Sequence, residues 1–140
     1  MKKFILAVCA LCAAVVLLSF LRTDRDCIVR FVESNQDLLS TCVESGDYSA
    51  VERHLLIREI NVEADHVDFR CGASGFGSQT SYRGFFYSEK GDMYAVWCAP
   101  PEGSQLIRNG DGFFWEESEG DNRYYVEEIC EGFYYYEASF

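Results

Sequence analysis

The 140 residues carry 12 basic and 23 acidic side chains, with 49% hydrophobic and 16% aromatic residues. So much apolar content excludes a chain that stays disordered in water, and the length suits one ordinary domain rather than a two-domain enzyme. Residues 22–140 keep all 23 acids and lose two of the 12 bases, Lys2 and Lys3, for a net charge of −13 that repels phosphate backbones and excludes nucleic acid as a partner.

Phe4 to Leu21 is an apolar run interrupted only by Ser19. As a helix it rises about 27 Å, enough to span a bilayer. A cleaved secretory signal also opens with lysines and an apolar stretch, but Ser19-Phe20-Leu21 ends on a bulky residue where the cleavage site needs a small one. Cys9 follows Val8 and Cys12 follows Leu11, which does not suit lipidation. The expectation is a membrane anchor or uncleaved signal over residues 1–21 and a single α+β domain over 22–140. Lys2 and Lys3 nearly balance Arg22 and Arg25 across the membrane. The signal-like position of the run therefore places the body outside the cytoplasm, or secreted if the segment is cleaved.

Thr23-Asp24-Arg25-Asp26 reads as a helix start with Thr23 as N-cap, and Ile28, Phe31, Val32, Leu38, Leu39, Cys42 and Val43 follow at helical spacing until Gly46. One helix of about 20 residues is predicted, on which Cys27 and Cys42 stand about 22 Å apart and cannot bond. Ser49-Ala50-Val51-Glu52 is a second capping pattern and predicts a short helix from Ala50 to Arg58. The period then changes to two. Strands are predicted around Val67–Cys71, Tyr82–Tyr87, Met93–Cys98, Phe113–Glu117, Arg123–Ile129 and Phe133–Ala138. Pro100-Pro101-Glu102-Gly103 marks a long loop. The fold class is α+β: an N-terminal transmembrane helix, one or two helices, then a curved antiparallel meander of about six strands with a helix over one face.

Five cysteines lie in the body, an odd number. If the body is outside, a bridge among Cys71, Cys98 and Cys130 is expected; if inside, all are reduced. Cys9-x-x-Cys12 lies in the apolar run and reads as filler. No zinc spacing occurs, and no cofactor or metal is expected. The only histidines are His54 and His66, Gly-x-Ser-x-Gly is absent, and no catalytic residue is assigned. Gly72-x-x-Gly75-x-Gly77 joins two strands and lacks the Lys-Ser/Thr of a phosphate loop. Glu116, Glu117, Glu119 and Asp121 flank a turn with no calcium-loop spacing. The aromatics are the best place for a ligand: Tyr134 and Tyr136 share one strand face and Trp115 lies on the same face as Phe113, so Trp115, Tyr134 and Tyr136 are the ligand-facing candidates, against the alternative of ordinary core.

Phe69-Arg70-Cys71-Gly72-Ala73-Ser74-Gly75-Phe76-Gly77, Tyr82-Arg83-Gly84-Phe85-Phe86-Tyr87-Ser88, Gly120-Asp121-Asn122-Arg123-Tyr124-Tyr125 and Phe133-Tyr134-Tyr135-Tyr136-Glu137 resemble a family of small bacterial membrane-anchored proteins with no assigned activity. The resemblance covers residues 60–140 and implies a membrane-attached, β-rich protein; it transfers no catalytic residue. Three classes of function follow: a non-enzymatic extracytoplasmic module binding a protein or glycan partner, an acidic inhibitor or immunity-type protein binding a basic partner, and a small hydrolase built on His54 or His66.

Overall fold

The computed structural model describes residues 24–76 and 79–140. The predicted anchor, with Thr23, lies outside them. Among the described residues no helix is long and apolar enough to cross a membrane. The fold is α+β: helices α1 (Arg25–Ser34) and α2 (Gln36–Ser45) precede strands β1 (Glu59–Val62), β2 (His66–Phe76), β3 (Gln79–Ser88), β4 (Ile107–Asn109), β5 (Gly112–Glu116), β6 (Arg123–Cys130) and β7 (Phe133–Ser139).

The single long helix predicted from periodicity is two helices. Asn35 adopts φ −125°, ψ 20°, and its Nδ2 donates to the Phe31 carbonyl at 2.8 Å. A side-chain amide that competes for a helix carbonyl offers the backbone an exit from the helix, and the apolar spacing continues across the break because both halves cover the same core. Gly46 closes α2 in the left-handed conformation, as the sequence predicts. The predicted helix from Ala50 to Arg58 is absent. The capping pattern yields one turn in which Val51 and Glu52 donate to the Tyr48 carbonyl. The Leu56 amide then goes to His54 Nδ1 instead of a carbonyl, while Val51, Leu56 and Ile57 are buried. Burial of these three side chains overrides the helix.

All seven strands form one antiparallel sheet in the order β1-β2-β3-β7-β6-β5-β4. It is two meanders, β1–β3 and β4–β7, joined along β3 and β7, rather than the single meander expected. The short edges β1 and β4 carry too few alternating residues to be read from sequence, and Met93–Cys98 is irregular rather than a strand. The chain leaves β3 in the middle of the sheet and must reach β4 at the far edge. Residues 89–106 therefore cross one whole face.

That crossing decides where the core sits. On one face Ile28, Val32 and Leu39 of the helices pack on Phe69, Phe85, Phe133 and Tyr135, with the Phe69 and Phe85 rings stacked at 4.6 Å. On the other face Val96 and Cys98 of the crossing segment cover Phe86, Tyr124, Val126, Tyr134 and Tyr136. The segment Phe133–Tyr136 is buried on both sides, which is why its sequence shows no polar alternation. Gly84 makes room for this packing, since a Cβ there would meet the Phe69 carbonyl oxygen at 2.5 Å and the Tyr136 ring at 2.9 Å.

Candidate functional site

Where the ends of β3 and the β6–β7 hairpin meet α2, the surface opens into a cleft of about 550 Å³. Four separate segments bring a carboxylate to it: Glu44 from the last turn of α2, Glu89 from the turn after β3, Glu128 from β6 and Glu131 from the hairpin turn. Tyr87 and Tyr134 add aromatic walls, and Lys90 is the single base of the lining. The two sheet segments are tied together by the Ser88 amide, which donates to the Gly132 carbonyl at 2.9 Å. The turn after β3 is shaped by the Asp92 amide donating to Ser88 Oγ at 3.0 Å. Gly132, at φ +78°, lies where a Cβ would come within 2.7 Å of the Tyr87 ring, so a side chain at this position would push that wall of the cleft.

The electrostatics of the cleft differ from those of the rest of the sheet. Glu59, Glu116, Glu127 and Glu137 each meet an arginine, Arg70, Arg123, Arg25 and Arg83 respectively, at 2.6 to 3.2 Å. Among the described residues none of the cleft's four glutamates has an ion-pair partner. Glu44 also stands at the negative end of the α2 dipole, where no basic residue offsets it. Tyr134 is only 7% exposed and its ring stacks on Phe86 at 5.2 Å. Its hydroxyl has no hydrogen-bond partner among the described residues. Burial, and then Glu128, push its phenol above the ordinary tyrosine value, so it is neutral at physiological pH.

A second polar group lies beneath the crossing segment. Asp68 is 1% exposed, accepts from the Tyr136 hydroxyl at 2.9 Å through Oδ1, and leaves Oδ2 without a hydrogen bond. Burial raises its pKa, outweighing Tyr136, Arg70 and Asn61, which favour the charged form; Asn61 does so without meeting Oδ2 in hydrogen-bonding geometry. Arg70, held by Glu59, lies over the Trp97 ring at 4.9 Å and the Tyr82 ring at 5.8 Å, which fastens the crossing segment to the sheet. On the helix face Glu127, also buried, is held by Arg25 at 2.6 Å and by the Tyr125 hydroxyl at 2.6 Å.

The predicted ligand-facing aromatics do share one face, but it is not an open one. Tyr136 is fully buried, Tyr134 nearly so, and Trp115 is half-buried against the same cluster beside Phe113. The crossing segment that covers them reads from sequence as another strand of the sheet. Among the residues whose burial is described, the exposed aromatics are instead Trp97 and Tyr94 of that segment and Phe140. The expected bridge among Cys71, Cys98 and Cys130 is not formed, and all three thiols are free. Cys71 packs in the helix-side cluster and Cys98 in the opposite one, while Cys71 and Cys130 stand on β2 and β6, three strand spacings or about 14 Å apart. Burial pushes the thiols of Cys71 and Cys98 far above the ordinary value, which holds them protonated.

The His54 ring packs against Phe31 at 4.3 Å, tilted by 37°, and His66 Nδ1 meets the Asp65 carboxylate at 2.9 Å. Ser88 lies opposite His66 in the β2–β3 register, but its hydroxyl is engaged by the Asp92 amide. Gly72 and Gly75 fall in the β2–β3 hairpin, as expected, with Gly77 and Ser78 outside the described residues. Glu116 of the acidic turn pairs with Arg123, and no group of three metal-ligating side chains occurs among the described residues.

The cleft glutamates escaped the sequence reading because they come from four segments. Two signals were available: an acid in the last turn of a helix that lacks a base there, and Glu128 following Tyr124 and Val126 on an otherwise apolar strand face. No protein-family model, curated protein or solved structure matches the chain. The residues of the cleft are therefore the guide to its chemistry.

Proposed function

We propose that the protein is a membrane-anchored, extracytoplasmic binding module without catalytic activity, and that the acidic cleft is where it holds its partner. The cleft carries this reading. Four glutamates line it against the single base Lys90, and none of them is in an ion pair among the described residues, a balance that suits a partner supplying positive charge. The apolar run of residues 4–21 supports the membrane placement, because only Arg22 and Thr23 separate Leu21 from the described domain.

The second reading, an acidic inhibitor or immunity-type protein, uses the same cleft and differs in its partner, a basic protein whose activity it blocks. It is favoured by the net charge of −13 on residues 22–140. A glycan partner has less support, since the tyrosines that would have stacked on sugar rings are core.

The placement is tested in intact cells. Cys42, Cys71 and Cys98 are buried and report poorly, so a thiol is introduced at Ser118, exposed in the β5–β6 turn. In the full chain carrying Ser118→Cys, a membrane-impermeant maleimide labels above the wild-type background without lysis if the domain is outside. Labelling that requires lysis places the domain in the cytoplasm and removes the extracytoplasmic half of the proposal.

A further inference from the structure

The backbone hydrogen bonds that residues 89–106 make among the described residues are local: Gly91 donates to Ser88, Ala95 to Asp92, Ala99 to Val96 and Ser104 to Pro101. The crossing segment is fastened to the sheet by side chains instead. Val96 and Cys98 enter the aromatic cluster, the Tyr124 hydroxyl donates to the Met93 carbonyl at 2.8 Å, and Arg70 lies over Trp97 at 4.9 Å. Beneath this cover Asp68, 1% exposed, leaves Oδ2 without a hydrogen bond, and Arg70, on the same strand face, leaves its Nε unbonded. Buried polar atoms left in this state are rare in a finished core.

We propose that residues 89–106 are a strap that lifts from the sheet as a unit while the helix side stays closed, and that ionisation of Asp68 releases it. A neutral carboxylic acid is buried at modest cost. A carboxylate with one oxygen unbonded forfeits its hydration and regains it only when water enters. Opening admits that water and uncovers Phe86, Tyr124, Tyr134 and Tyr136, an aromatic floor that the closed protein hides.

The groups facing Asp68 come from each neighbouring element. On its own strand Arg70 and His66 favour the charge, but Arg70 is held by Glu59 at 2.6 Å and His66 Nδ1 by Asp65 at 2.9 Å. Asn61 of β1 favours it without bonding Oδ2, and Tyr136 of β7 donates only to Oδ1. Tyr124 of β6, Cys98 of the strap and Cys71 of β2 face it as neutral groups. Burial outweighs the favourable contacts and raises the Asp68 pKa. In the open strap the hydrated carboxyl titrates near its ordinary value, about 3.9, so rising pH deprotonates the open form first and draws the equilibrium toward it. The strap is closed in acid and opens toward neutral pH.

Two buried thiols supply the test. Cys98 lies under the strap and Cys71 under the helices, 3% and 0% exposed, and both are free. The full chain in dodecyl maltoside is treated with 4,4′-dithiodipyridine, which reacts in acid as well as at neutral pH, and each cysteine is followed by peptide mass spectrometry. Each thiol reacts from an opened, solvated state, so the ratio of the two rates cancels the pH dependence of the thiol chemistry. At neutral pH Cys98 is expected to react about tenfold or more faster than Cys71, and the ratio to fall severalfold by about pH 4.5.

Asp68→Asn is expected to hold the ratio flat across that range, and His66→Gln to leave its pH dependence in place. Tyr136→Phe removes a hydrogen bond that favours the charge and should extend the rise to higher pH. Trp97→Ala, at a half-exposed position, should raise the ratio about threefold at every pH by releasing Arg70. Equal rates for the two thiols at neutral pH would mean that the strap opens only with the whole fold, and would overturn the proposal. So would a wild-type ratio indifferent to pH, or a dependence that survives Asp68→Asn or is lost in His66→Gln. Should Asp68→Asn fail to fold, the direction of the Tyr136→Phe shift decides. Neither the cleft nor the membrane placement enters these outcomes.

Discussion

The two faces of the sheet are buried by different means. Helices cover one: α1 and α2 present Ile28, Val32 and Leu39 to an aromatic floor, and the backbone of the cover satisfies itself. A chain crossing covers the other, with few regular hydrogen bonds of its own and a few anchor points: Val96 and Cys98 in the core, the Tyr124 hydroxyl on the Met93 carbonyl at 2.8 Å, and Arg70 under Trp97. The polar groups buried on each face follow suit. Glu127 on the helix face has both an arginine and a tyrosine, while Asp68 beneath the crossing has one tyrosine and an unbonded oxygen. The regular cover leaves its buried carboxylate fully paired, with an unbonded polar atom among the described residues only at Arg83 Nε, whereas the irregular one leaves an unpaired carboxylate oxygen and opens at lower cost.

The comparison is challenged most strongly by removing one anchor from each cover. Phe85→Ala deletes a fully buried ring stacked on Phe69 and should cost about 3–5 kcal/mol in denaturant unfolding. Val96→Ala, 2% exposed but on the crossing segment, should cost about 1–2 kcal/mol, because the irregular chain can settle into the smaller volume. Amide exchange should rise across residues 93–99 in the second variant and leave the helix side unchanged. Equal losses, or exchange that rises on both faces together, would show the two covers to be one cooperative unit.

The same contrast explains what was legible in the sequence. The helix face could be read because its apolar residues recur at helical steps, and the strands Val67–Cys71, Arg123–Ile129 and Phe133–Ala138 were found because β-branched and aromatic residues cluster between turns. Gly46 marks the end of the helical stretch for the same local reason. What failed was non-local. Met93–Cys98 has the composition of a strand, and only the strand order, with β3 central and β4 at an edge, makes it a cover. Asp68 and Arg70 alternate with Val67, Phe69 and Cys71 and so read as a solvent face, which the crossing then buries. The cleft was invisible for a related reason: no window of the sequence contains its four glutamates.

Asp68 sharpens the comparison through pH. Its folded-state pKa is raised by burial above the ordinary aspartate value, so between that value, about 3.9, and the raised one the folded state binds the proton more tightly than the unfolded state. Stability is therefore favoured below the ordinary value and lost as pH rises through the window. Asp68→Asn cannot ionise, so its stability relative to wild type should improve as the pH is raised from about 4 to 7, read from urea midpoints at each pH. A flat Asp68→Asn difference across that range would mean that Arg70 and Asn61 offset the burial in full.

The smallest effect discriminates most finely, because it contrasts two tyrosines of one strand face under one cover. Tyr136→Phe removes the only hydrogen bond to a carboxylate that is 1% exposed, and should cost about 1–3 kcal/mol. Tyr134→Phe removes a hydroxyl that holds nothing among the described residues, keeps the ring stacked on Phe86, and should stay within about 0.5 kcal/mol of wild type. If both variants lost stability alike, the Tyr134 hydroxyl would be part of the scaffold as well. If Tyr134→Phe is silent in urea while Tyr136→Phe is not, the difference between the two hydroxyls is the carboxylate beneath the crossing segment, which only Tyr136 reaches.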